Sequence, residues 1–297
     1  MATLRDIRRR ISGVKSTEKI TKAMKMVAAA KLRRAQDAIV QARPYAGKMA
    51  EMLHHLSTKV DVSQYPLIAE RPVQSVAVVV VTADRGMCGA FNTNIIRAAT
   101  QRINAMYAQL RAEGKVKVIC VGKKGYEYFS KHKFDIVLKH VGIFNALKFA
   151  DARAIVTEIV ESFGRHEFDR VEAVYNEFKS AVQQRVAIEQ FLPIVRPETQ
   201  NGETKGASAG LDYIYEPASE EIISALVPKH LNFQMWRVLL ESNAAEQGAR
   251  MLAMENASTN AKEIINDLTL SYNKARQASI TKELLEIVSG AEALQNG

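Results

Sequence analysis

Apolar residues recur at alternating steps of three and four along most of the first sixty positions. Stepping from Leu4 gives Leu4, Ile7, Ile11, Val14, Glu18, Thr21, Lys25, Ala28, Leu32, Ala35, Ile39, Ala42, Ala46, Met49, Leu53 and Leu56. Thirteen of these sixteen are apolar, so residues 3–58 are predicted to form one long helix carrying a left-handed coiled-coil seam. The three exceptions, Glu18, Thr21 and Lys25, are consecutive. Around them ITKAMKMVAAAK places Ile20, Met24 and Val27 on another face. Either the seam stutters here, or this turn also touches a second partner. Pro44 is expected to kink the helix, with Gly13 and Gly47 as weaker points.

After a linker at 59–72 the period changes. SVAVVVVTA is a β-branched run suited to a strand covered on both faces. A glycine-containing loop, DRGMCGAFN, follows it. Residues 93–114 read as a helix, KVKVICVG as a second buried strand, KKGYEYFSKH as a short helix and DIVLKHV as a third strand. FADARAIVTEIVESFGRHEF reads as a helix, and VEAVYNEF and QQRVAIEQFLPI as two more strands. Strands alternating with helices predict a Rossmann-like α/β layer domain over 73–195 with a largely parallel sheet. Residues 196–210, polar and glycine-bearing, read as a surface loop or mobile insertion, and LDYIYEP leads out of it.

From Pro217 onward the chain reads as a second long helix, with Pro228 its only internal breaker. At about 1.5 Å per residue, sixty unbroken residues span roughly 90 Å, longer than a small domain is wide. Ala257, Ala261, Ile264, Leu268, Ser271, Ala275 and Ala278 suggest a seam of small residues. The last turns, ITKELLEIVSGAEAL, are apolar nearly all round, as expected of a helix inserted into another protein. The fold class expected is α/β: a long antiparallel coiled coil of N- and C-terminal helices (1–58 and 217–297) with the α/β domain inserted. The segment 196–216 is a loop between the domain and the second helix.

Composition refines this picture. The 297 residues are 47% hydrophobic and 25% charged, as in a globular protein, and the apolar runs are too short for a membrane span. The N-terminus lacks a secretory h-region. Its basic, amphipathic start is similar to a transit peptide, but the same periodicity continues for fifty residues, so it reads as mature structure. Cys88 and Cys120 form no C-x-x-C pair and read as structural thiols in a reducing compartment. Residues 1–59 hold 14 Lys and Arg against 4 Asp and Glu, whereas the rest hold 27 against 28. The basic character therefore belongs to the first helix, whose partner should be acidic.

No enzyme site emerges. Gly86-Met-Cys-Gly89 and Gly122-Lys-Lys-Gly125 fall at strand-to-helix turns, where phosphates often bind, but match neither the dinucleotide fingerprint nor the P-loop. Asp84–Arg85 lies at a strand end and suits a loop bridge or partner contact as well as catalysis. His54 and His55 are adjacent and face different directions, which does not suit a metal. Arg8-Arg9-Arg10 and Lys31-Leu-Arg33-Arg34 could bind nucleic-acid phosphates, yet few aromatics accompany them for stacking. A rod-like interaction protein, an α/β enzyme and a nucleic-acid binder all remain open on these grounds.

Specific blocks narrow the choice. KITKAMKMVAAAKLRRAQ at 19–36, TADRGMCGAFN at 82–92, ARMLAMENASTNA at 249–261 and YNKARQASITKELLEIVSGA at 272–291 resemble the gamma subunit of F-type ATP synthases, bacterial in type. The resemblance runs along the whole chain in order, and its final block is the most specific. It implies a non-catalytic rotor shaft, without cofactor or metal, that couples ion-driven rotation of the membrane c-subunit ring to ATP synthesis or hydrolysis on α and β. The implied partners are the α/β ring, the epsilon subunit and the c ring, with no nucleic acid and no membrane span of its own. The implied location is the cytoplasmic face of the bacterial inner membrane. On the same resemblance Met24 and Lys25 pass the acidic lever of β, and Arg276 and Gln277 meet a β loop. Ile280, Leu284, Leu285, Ile287 and Val288 lie in an apolar sleeve, and Tyr213 and Glu216 seat the shaft on the c ring.

Overall fold

The structure is a computed structural model that describes residues 3–59, 65–180, 183–194 and 218–295. The chain divides into two compact units. One comprises residues 1–28 with 250–297, the other residues 29–249. Helix α1 (Leu4–Lys59) and helix α6 (Ser219–Gln295) each contribute to both units.

The larger unit is built on a five-stranded sheet in the order β3-β2-β1-β4-β5. Strands β1 (Val76–Val81), β2 (Val116–Val121), β3 (Asp135–His140) and β4 (Arg170–Phe178) are parallel, and β5 (Gln184–Leu192) is antiparallel to β4. The short link from β4 to β5 permits only a hairpin, whereas parallel neighbours need a crossover of a dozen or more residues. VAVVVV of β1 is buried along its whole length because both sheet faces are covered. On one face Ala77, Val79 and Val81 pack with α5 (Phe149–Gly164), with Leu53 and Leu56 of α1, and with Ile223 to Leu239 of α6. On the other face Val76, Val78 and Val80 pack with α2 (Phe91–Met106) and with Phe129 of α4 (Lys123–Lys131).

The helix expected over 93–114 is two helices, α2 and α3 (Ala108–Ala112), parted at Tyr107. The break turns the Tyr107 ring inward, where its hydroxyl donates to Glu172 Oε1 at 2.6 Å. Arg102 donates to the same carboxylate through Nε at 2.9 Å and Nη2 at 2.7 Å. Burial pushes the Glu172 carboxyl up, but these bonds outweigh it and hold the group below its ordinary range. A buried acid on β4 thus overrides the helical period of 93–114.

In the smaller unit α1 and α6 run antiparallel. Lys25 pairs with Glu255, and Thr21 Oγ1 lies 2.7 Å from Ser258 Oγ. Every seam position from Leu4 to Leu56 whose side chain is described is buried or half-buried, Glu18, Thr21 and Lys25 included. The seam therefore does not stutter. Its polar step is filled by matched polar groups on α6.

Helix α1 includes Pro44 within its single run, and one expectation about the second helix changes. On α6 the inward positions are Met254, Ser258, Ala261, Ile265, Leu268, Tyr272, Ala275 and Ser279, whereas Ile264, Ser271 and Ala278 are exposed. A three-four alternation through Ala261, Leu268 and Ala275 has two phases, and packing on α1 selects the one beginning with a step of four.

Candidate functional site

The glycine-bearing turns follow β1 and β2. Asp84, just past β1, accepts backbone bonds from Lys123 N at 3.0 Å, Gly142 N at 2.8 Å and Phe144 N at 3.3 Å. The carboxylate is committed to holding three loops together. Thr82 Oγ1 accepts from Gly125 N at 2.8 Å, and a Cβ on Gly122 would lie 2.0 Å from Thr82 O. Both glycines of Gly122-Lys-Lys-Gly125 are thus explained by close backbone approach. The Cys88 and Cys120 thiols are both buried, and burial pushes the Cys120 thiol up to about 12. Among the described residues no cluster of His, Cys, Asp or Glu is arranged to hold a metal.

The unusual surfaces lie on the two helices of the smaller unit. The register set by Lys25–Glu255 and Thr21–Ser258 places Leu4 opposite residues 275–276. Beyond Ser279 helix α6 has no stretch of α1 beside it, and residues 280–291 are all exposed. Ile280, Leu284, Leu285, Ile287 and Val288 are 48–68% exposed, on a broad side of the helix. Five large aliphatic side chains in nine residues exceed the scattered apolar exposure of an ordinary surface. Arg276 and Gln277, one turn earlier, are exposed as well.

A second apolar face lies on α1. Ile20 and Val27 are each 57% exposed and Met26 is 61% exposed. Met24 is half-buried, and Lys25 is turned to its ion pair with Glu255. The structure thus gathers Ile20, Met26 and Val27 on the outside while Lys25 stays in the seam. Met26 was missed by the sequence reading, because only a fixed seam phase shows which neighbouring apolar residue points outward. Tyr213 and Glu216, and the segment 196–210, lie outside the described residues.

No described helix is long and apolar enough to cross a membrane. A family model described as ATP synthase matches residues 3–294. The ATP synthase gamma chain of Chlorobaculum tepidum is 56% identical over 296 residues, 99% of this chain and 100% of that one. The gamma chain of Chloroherpeton thalassium is 53% identical over 301 residues, 99% of each. Among solved structures, a chain of the Euglena gracilis mitochondrial ATP synthase OSCP/F1/c-ring assembly matches with a TM-score of 0.68 at 25% identity, over 99% of this chain and 95% of that one. A chain of the Tetrahymena thermophila central stalk and c-ring matches with a TM-score of 0.61 at 26% identity, over 80% and 99%.

Proposed function

The chain belongs to the ATP synthase gamma-chain family, and from that premise we propose that it is the central shaft of a rotary ATP synthase and catalyses nothing itself. Residues 1–58 and 217–297 form the coiled-coil shaft, 73–195 its α/β base, and 196–216 the segment facing the c-subunit ring. The α and β subunits surround the paired helices, epsilon binds the base, and the shaft sits peripherally on the cytoplasmic face of a bacterial inner membrane. Ile280, Leu284, Leu285, Ile287 and Val288 turn in the apolar sleeve of the ring. Met24 and Lys25, and then Arg276 and Gln277, meet β. Tyr213 and Glu216 meet the c ring.

The observation that carries this reading is the bare apolar end of α6. An exposed aliphatic tip needs a socket, and a socket lined by apolar groups restrains tilt while offering few directional bonds against rotation. The shaped backbone turns at Asp84 and Gly122 agree with a base that is structural. Native mass spectrometry of complexes purified gently from source membranes tests the proposal. A single copy of this chain with equal multiples of two larger subunits, and Mg-ATP hydrolysis in the same fraction, is the expected result. A lone chain carrying nucleic acid, with no such partners, would overturn it.

A further inference from the structure

Within the smaller unit an open groove of about 570 Å³ lies between the two helices, and all of its lining side chains but Ile11 and Tyr272 are exposed. Arg8, Ser12, Lys15, Ser16 and Lys19 line it from α1, with Ile11 at the seam, and Thr269 and Tyr272 line it from α6. The α1 residues share one face because their spacings of four, seven, eight and eleven all return near the same side of a helix. At 1.5 Å per residue, Arg8 and Lys19 lie roughly 16 Å apart along the axis.

The composition of the lining is one-sided. Three cations line the groove and no carboxylate does. Elsewhere the chain readily makes ion pairs, as at Lys25–Glu255, Arg237–Glu189 and Lys124–Glu127. Arg8, Lys15 and Lys19 make none with any described residue. The hydroxyls of Ser12, Ser16 and Tyr272 also lack a described partner, while Thr269 donates to Ile265 O at 2.7 Å and keeps its acceptor lone pairs.

We infer that this gap is a binding site for a phosphate-chain anion, a di- or triphosphate group. Cation-to-phosphate bonds are charge-assisted and stronger than neutral ones. Three cations spread along the helix match an extended polyanion better than a point charge, and the hydroxyls can donate to the remaining phosphate oxygens. A single protein carboxylate would satisfy one cation and leave the other two and the hydroxyls unserved. The inference does not depend on the shaft reading, and its failure would leave that reading untouched.

The test is lysine acylation, read peptide by peptide by mass spectrometry, on the full-length chain held in nonionic detergent. Sodium tripolyphosphate should slow acylation of Lys15 and Lys19 about ten-fold, with saturation, and slow that of exposed Lys31 less than about two-fold. Arg8→Ala, at an exposed position, and Tyr272→Phe, which removes only a hydroxyl, should each raise the half-saturating concentration several-fold. An ATP arm separates the sources. Protection at lower ATP than tripolyphosphate assigns a nucleotide, with Tyr272 against the base, and equal protection assigns the phosphate chain alone. Equal protection of Lys31, no saturation, or equal protection by a glutamate-rich peptide of the same charge would each overturn the site.

Discussion

Glu172 and its partners show what one buried charge does to a chain. The carboxylate is nearly inaccessible, yet its acidity is raised because Arg102 and Tyr107 bond to the charged form. Its folded pKa therefore lies below the unfolded one. The stability it supplies is complete above about pH 4.5 and is lost as pH falls through the folded value. Glu172→Gln should cost about 1–3 kcal/mol at pH 7, and the gap to wild type should narrow below pH 4.5. Urea unfolding followed by Trp236, the single tryptophan, reads this directly because its ring packs on Phe149 in the same unit. A gap that stays constant with pH would place the cost in packing instead. Tyr107 also marks where sequence reading stops. A tyrosine inside a helical pattern gives no sign that an acid sixty-five residues later will pull it out of the helix.

At the level of elements, what was legible followed from periodicity, and what was not followed from pairing. The strands were readable because the β-branched runs are short and bounded, and the α1 seam because thirteen of its sixteen positions share one chemistry. The polar step was misjudged as a possible stutter because one helix's sequence does not show Ser258 and Glu255 waiting opposite. The α6 seam was placed one residue off at alternate steps, since small residues on both phases leave the choice to α1. The exposure of Ile280, Leu284, Leu285, Ile287 and Val288 was readable, because α1 is too short to reach them and no seam phase could bury them. Thr21 donates to Glu18 O at 3.0 Å, which leaves Ser258 as the donor across the helices. Ser258→Ala alone should cost about 1 kcal/mol, and Thr21→Val alone a similar amount. The pair together should cost less than the sum, as both polar partners are then gone. A double-mutant cycle by thermal melting checks it, and strict additivity would mean the hydroxyls do not interact.

At the level of the whole molecule, the chain carries an apolar surface that its own fold leaves uncovered. Purified alone, it should self-associate through the end of α6. Leu285→Asp with Ile287→Asp should abolish that association in light scattering without changing the melting of either unit, because neither side chain packs on its own chain. The same pair should weaken assembly into the complex, and persistent self-association would point to the Ile20, Met26 and Val27 face instead.

The two cysteines bear on how such a molecule can be watched. Both are buried, Cys120 with a thiol pushed up to about 12, and the sequence holds no third. A maleimide dye therefore finds little native background. A cysteine introduced at Arg33 or Lys274, both exposed, becomes the sole labelling handle in the chain. Fluorescence polarisation from one such handle can follow angular position in time, with no need to strip out native thiols first.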